Sequence, residues 1–356
     1  MKSSNSGFIL LLALIFVSSS ARAQDNSQTK KQSAVEVPPP LATPKPKSVL
    51  SEIPTANAAS DRVDPLAQYF LTGQLVFGIS GFSLNLQNQD QTKKIEFDPN
   101  LVTTIGVGLS FKDYIGVTAS FHAGPETDPV NRGHTAYDDF HFDFDFKNFL
   151  VEAQYQRYKG LYVSNTSDID PTLRSNILEP NMSMQNILLA FTYVFNPKNF
   201  SIQAALSRTE RQIHSGGSWL LGALGTQTTI ENSEGLLPTQ IRSSFGADQN
   251  ITKDRSRTLM VTGGYAYTAV LTDKFATTLL GDLGYGWGDS SFTDPIGTTN
   301  LNYSSNTLGL KLVIAYNGDL LISGISIEAQ TVFSQTNSIR INSAPVLSQI
   351  FFGSRY

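Results

Sequence analysis

The chain has 356 residues, with 26 Lys+Arg against 30 Asp+Glu and no Cys; it is 40% hydrophobic and only 16% charged. The charged share falls below the about 25% usual in soluble domains. A net charge of −4 implies no polybasic nucleic-acid surface, and the missing cysteines exclude disulfides and thiolate metal centres. Beyond the N-terminus no run approaches the roughly 20 apolar residues of a membrane helix, which leaves a large β protein.

Residues Met1–Ala23 read as a secretory signal: Lys2, then the apolar core Phe8–Val17, then the small-residue site Ala21-Arg22-Ala23. The mature chain is expected to begin at Gln24. No cysteine follows, which excludes a lipoprotein. Residues 24–64 carry Pro38, Pro39, Pro40, Pro44 and Pro46 among Lys30, Lys31, Lys45 and Lys47. Such a stretch buries too little apolar area to offset its ordering entropy and is expected to be a disordered periplasmic spacer. A tether to a partner or to the cell wall is the sharper alternative.

From about Leu75 onward period-two patterning recurs, and residues 65–356 are expected to form one β domain. Ile105, Val107, Leu109 and Phe111 alternate with small residues, as do Ile115, Val117, Ala119 and Phe121. Phe140, Phe142, Phe144 and Phe146 alternate with His141, Asp143 and Asp145; Val151, Ala153 and Tyr155 alternate with Glu152, Gln154 and Gln156. Ile187–Phe195 is similar with a less polar second face. Further strands are expected at Phe200–Leu206, Trp219–Ala223, Leu259–Ala269, Phe275–Trp287, Leu308–Tyr316 and Ile325–Phe333.

Turn chemistry predicts register, because a one-residue slip would reverse a strand's faces. A Lys147-Asn148 turn sets Phe146 opposite Phe149 and Phe140 opposite Tyr155. An Asn317-Gly318 type I′ turn sets Leu308 opposite Ile327 and Leu310 opposite Ile325. Asn196–Asn199 as a four-residue turn sets Phe195 opposite Phe200. Lys112–Tyr114 and Thr272–Lys274 as three-residue turns set Phe111 opposite Ile115 and Leu271 opposite Phe275.

Tight turns alternate with long polar connections near Gln87–Leu101, His122–Asp138, Gly160–Asn181, Asp289–Asn302 and Gln335–Pro345. Phe111, Tyr114, Phe146, Phe149, Phe195, Phe200, Phe275 and Tyr316 flank the tight turns, as an interfacial girdle requires. A soluble β-sandwich would alternate too, but needs no such uniform set of aromatic-flanked turns. The expected fold is therefore an all-β transmembrane antiparallel barrel of about 12–14 strands, with short periplasmic turns and long extracellular loops. The segments add to about thirteen, and an even number is required with both termini in the periplasm. An added strand near Gln240–Phe245 makes fourteen; removing Ser218–Ile230 as an extracellular elaboration makes twelve. Tyr356, in register with Phe352 and Ile350, resembles the aromatic-ended final strand read by barrel-assembly machinery.

Ile105–Phe121 (IGVGLSFKDYIGVTASF), Tyr155–Tyr162 (YQRYKGLY), Arg208–Gly222 (RTERQIHSGGSWLLG) and Gly264–Thr268 (GYAYT) resemble the domain-of-unknown-function family 4421. The resemblance covers most of the chain after about Asp98 and excludes the proline-rich stretch. It implies an outer-membrane barrel of uncharacterised activity and supplies no catalytic residues to carry over. The loops here look longer and acidic, with Glu126, Asp128, Asp138 and Asp139.

With the phenylalanines facing lipid, the lumen candidates are His141, Asp143, Asp145, Glu152, Arg211, Lys311 and Glu328. Asp143 opposite Glu152 would repel. By parity Arg157, Lys159, Arg208 and Glu210 continue the lipid-facing rows and are expected at the outer rim. A packed polar interior and a selectivity site are both consistent with this set. His214-Ser215 is the best hydrolase candidate, but adjacency in sequence does not supply catalytic geometry. His122, His134 and His141 with Asp138 or Asp139 are spaced too irregularly for a metal motif and read as a solvated loop. No cofactor, metal or catalytic residue is expected. The expected role is passive solute passage or envelope support. An outer-membrane lipid hydrolase and an adhesion barrel acting through its extracellular loops are the alternatives. The expected partners are outer-membrane lipid, the barrel-assembly machinery and small solutes, without nucleic acid.

Overall fold

The computed structural model describes residues 62–66, 68–88, 94–100, 102–111, 115–146, 148–239, 242, 250–335 and 339–356. The signal sequence, the proline-rich segment up to residue 61, the Lys112–Tyr114 turn and, apart from Arg242, the added strand near Gln240–Phe245 lie outside the described residues.

In chain order the strands are β1 (Val63–Asp64), β2 (Leu71–Asn88), β3 (Lys94–Asp98), β4 (Val102–Phe111), β5 (Ile115–His122), β6 (Ala136–Phe146), β7 (Phe149–Val163) and β8 (Ile177–Val194). There follow β9 (Arg211–Gln212), β10 (Gly216–Glu231), β11 (Lys253–Thr272), β12 (Phe275–Thr293), β13 (Thr298–Asn317), β14 (Leu321–Gln335) and β15 (Ile339–Arg355). Twelve of them form a closed antiparallel barrel: β2, β4 to β8 and β10 to β15, with β15 pairing back onto β2. Closure leaves the wall without a free edge, the condition for a sheet to cross hydrocarbon. β3 is wedged between the ends of β2 and β7 that lie away from the tight turns.

Alternation turns one face of each strand outward. Phe142, Trp219 and Leu259 are 41%, 68% and 67% exposed, and they stand in rows with Leu75, Phe77, Val107, Leu283 and Ile350. An apolar face left uncovered all round a closed sheet is the face a bilayer covers. Phe111, Phe195, Phe275 and Tyr316 stand exposed at the tight-turn end.

Register follows the expectation where the turn is short and unambiguous. Phe146 pairs with Phe149, Phe142 with Ala153 and Phe140 with Tyr155; Phe111 pairs with Ile115. It departs elsewhere. Leu308 faces Thr331 and Leu310 faces Ala329, because the chain reverses over Gly318–Leu321 and not at Asn317-Gly318. Asp319 is thereby carried out to Arg211 and Lys274. The β11–β12 turn closes on Thr272 opposite Phe275, leaving Leu271 as the extra residue of a bulge.

The largest correction concerns Phe200–Leu206, which is no strand. β8 pairs directly with β10, and the chain between them folds inward. Ser201 starts a short helix, Ile202–Ala205, by accepting the Ala204 N–H with its hydroxyl at 2.9 Å. Phe200 and Ile202 are buried inside with Leu150, Val194 and Leu220 rather than in the girdle. Losing this strand brings the barrel to twelve, while Ser218–Ile230 is a full wall strand. At the other end two expected long loops are strand extensions: β12 runs to Thr293 and β13 starts at Thr298, and β15 begins at Ile339.

Candidate functional site

Three layers fill the barrel. At the long-loop end Phe82, Leu84, Ile95, Phe97, Tyr158 and Met182 belong to one apolar core, which also takes in Leu236, Leu237 and Ile251 from the segment after β10. At the tight-turn end lies the inward segment 200–212. Between them sits a charged cluster.

The cluster is built by strand parity. His141 and Asp143 alternate with the outward phenylalanines of β6, and Glu152 of β7 lies directly opposite Asp143. His141 Nε2 is 2.7 Å from Asp143 Oδ1 and 3.9 Å from Glu152 Oε1. Across the lumen Lys311 of β13 and Glu328 of β14 are register partners, with Nζ and Oε2 2.9 Å apart. A cavity of about 100 Å³ lies on one side of the cluster and one of about 90 Å³ on the other. His141, Glu152, Lys311, Glu328 and the inward segment's Leu206 line both.

The inward segment is tied down by cations. Arg208 is 7% exposed and takes a left-handed backbone, φ 59°, with its N–H donated to Gln203 O at 2.6 Å. Its guanidinium donates to Gln74 Oε1 at 2.8 Å and stacks 3.4 Å from the Phe351 ring centroid. Arg355, 1% exposed, donates to Arg208 O at 2.6 Å and also to Gly318 O and Asn317 Oδ1. Ser201 Oγ donates to Glu210 Oε2 at 2.5 Å. At the mouth β1 pairs with β9. There Arg211 bridges Asp64 at 2.5 Å and Asp319 at 2.7 Å, and Lys274 reaches Asp319 at 2.8 Å. Hydrogen bonds from Lys274 and then Arg211 hold the Asp319 carboxyl at about 2, below its ordinary 3.8.

Of the residues named from sequence, His141, Asp143, Glu152, Lys311 and Glu328 come together. Asp145 is buried two residues further along β6, toward the tight-turn end. Arg211 is at the mouth and outside the cluster. Arg157 and Lys159 are exposed on β7. Arg208 and Glu210 are not at the outer rim: parity does not extend through a segment that is not a strand, and both side chains lie in the inward fold. Residues 62–64 of the proline-rich stretch are ordered against that fold. His214 is exposed, and Ser215 Oγ accepts the Val270 N–H at 2.9 Å. His134 pairs with Glu126. The solvated-loop reading of His122, Asp138, Asp139 and His141 is corrected: His122 ends β5 and the other three lie on β6, where Asp139 is buried and lines a cavity at an inward parity position. Asp282 also lines a cavity and was missed, although the alternation of Leu279–Trp287 turns it inward.

Several solved outer-membrane proteins are similar in fold. The outer membrane protease OmpT from Escherichia coli shares 7% identity with a TM-score of 0.40, over 85% of this chain and 99% of that one. The COG4313 outer membrane channel from Pseudomonas putida F1 shares 10% with a TM-score of 0.34, over 81% and 96%. Ail, the attachment invasion locus protein of Yersinia pestis, shares 12% with a TM-score of 0.27, over 80% and 99%. These likenesses extend to the barrel alone. No curated protein matches the sequence. The domain-of-unknown-function model DUF4421 matches residues 67–356, and the chain belongs to that family.

Proposed function

We propose that this chain is a closed, non-conducting barrel of the bacterial outer membrane, serving the envelope as a structural and binding element. One observation carries the reading: the lumen is filled at both ends, by an apolar core at the long-loop end and by segment 200–212 at the tight-turn end. Passive passage would require both fillings to move together. The apolar core ties β3 and the segments after β7 and β10 into one cap, a rigid surface of the kind a binding barrel presents. In this reading a signal peptide ending at Ala23 directs export. The outward row of Ile350, Phe352 and Tyr356 engages the assembly machinery.

The test is conductance of the refolded full chain in planar bilayers. Silence is expected. Steady channels in the wild type would overturn the proposal. A specific observation favours a second reading, a gated passage: cavities flank the charged cluster behind segment 200–212. It predicts that replacing residues 197–214 with a Gly-Ser linker opens a cation-selective conductance, because carboxylates dominate the lining. The closed-barrel reading predicts that this variant stays silent.

A further inference from the structure

We propose that His141, Asp143 and Glu152 form a divalent metal site inside the sealed barrel. They offer one nitrogen and two carboxylates, and their candidate ligand atoms all lie within 4.8 Å of one another. Donors sharing one ion at bonds of about 2.0–2.2 Å stand at most about 4.4 Å apart. The His141–Asp143 and His141–Glu152 separations, 2.7 and 3.9 Å, already lie inside that limit. The scaffold is rigid. His141 and Asp143 are second neighbours on one strand face, and Glu152 is the direct cross-strand partner of Asp143, so the backbone fixes all three. The flanking cavities supply room for the waters that would complete the coordination shell.

Charge supplies an independent argument. Carboxylates placed opposite each other in a sheet repel. The buried cations nearby are already engaged: Lys311 with Glu328, and Arg208 with Gln74 and the Phe351 ring. Around the two cavities Asp139, Asp143, Glu152, Asp282 and Glu328, with Asp145 buried alongside, outnumber Lys311, Arg208 and His141 even with His141 protonated. A divalent cation between Asp143 and Glu152 cancels the largest local excess and replaces the His141–Asp143 contact. A mixed nitrogen and carboxylate set suits a transition ion such as Zn²⁺ better than Ca²⁺ or Mg²⁺.

The order of loading rests on the closed-barrel reading, under which the ion enters during folding. The full chain is refolded in detergent with Zn²⁺, stripped of excess ion by gel filtration, and assayed for zinc per chain by elemental analysis. One retained zinc is expected in the wild type, falling about tenfold or more in Glu152→Gln and His141→Asn. Loss is not expected in Glu231→Gln, which changes an exposed carboxylate away from the cluster. Heat-modified gel mobility reports whether each variant has closed. Where a variant fails to close, refolding the wild type in Co²⁺ and reading its visible absorption for nitrogen and oxygen ligation gives the same decision. No retained zinc in folded wild type overturns the site, as does zinc that survives both substitutions. The count is independent of conductance, so this test and that of the closed barrel fail separately.

Discussion

Phe142 and Gln154 sit on neighbouring strands, one turned out and one turned in. Phe142 presents its ring to the surroundings, whereas Gln154 donates to Asp139 at 3.3 Å. Arginine at position 142 would lie against acyl chains, and Phe142→Arg is expected to lower stability by about 2–4 kcal/mol. Gln154→Arg brings a cation to a lining rich in carboxylates and should cost less. Denaturant unfolding of both variants in lipid vesicles measures the difference; equal losses would contradict the facing. Gly160 poses a different constraint. It has φ +87° at the irregularity between Lys159 and Leu161, and a Cβ there would meet His134 O at 2.0 Å. Gly160→Ala therefore combines a strained backbone with a clash, and a loss of about 1–3 kcal/mol is expected in the same unfolding assay.

At the scale of elements, legibility depended on how many signals agreed. The β6–β7 hairpin was readable pair by pair because alternating phenylalanines and a two-residue turn both demand one register. In β13–β14 the Asn317-Gly318 dipeptide misled. Its turn chemistry is real, but Asp319 gains partners on two other segments when the reversal moves to Gly318–Leu321. The shift was even, so the faces survived and Lys311 acquired Glu328 as its cross-strand partner. Phe200, Ile202, Ala204 and Leu206 alternate like a strand, yet Ser201 caps a helix and the apolar side chains fill the lumen. Local pattern cannot distinguish a lipid-facing row from a filling. The cluster was legible through parity alone, while Asp319, Arg355 and the inward Arg208 depend on contacts far apart in sequence. The mouth contacts have a pH signature. The folded-state pKa of Asp319, about 2, lies below its ordinary 3.8. Its contribution to stability is thus complete above the unfolded value and disappears as pH falls through the folded one. Unfolding midpoints of wild type and Asp319→Asn should differ by a constant amount above about pH 5 and converge toward pH 2. A difference that persists unchanged at pH 2 would place the stabilisation elsewhere.

For the whole molecule, closing the wall and filling it are coupled at the last strand. β15 pairs with β2 from Arg355↔Thr72 to Ile339↔Asn88, and Tyr356 adds bonds to Phe70 and Leu71. Along this strand Phe352 and Tyr356 face out, while Phe351 and Arg355 face in. The inward pair holds Arg208 from two directions: Phe351 by stacking under its guanidinium, Arg355 by bonding its carbonyl. A strand that completes the wall therefore also secures the filling. Arg355→Met keeps the backbone seam and much of the side-chain bulk but removes the donors to Arg208 O, Gly318 O and Asn317 Oδ1. Each buried acceptor so orphaned costs about 1–3 kcal/mol, and the loss falls on segment 200–212 and the β13–β14 turn, not on the wall. The expected outcome is faster hydrogen exchange and new tryptic cleavage at Arg208 and Arg211, with wall-strand amides still protected. Uniform loss of protection would make Arg355 a determinant of barrel closure itself, and unchanged cleavage would show that the other contacts, Gln74, Phe351, β1 and the Arg211–Asp319 pair, suffice to hold the segment.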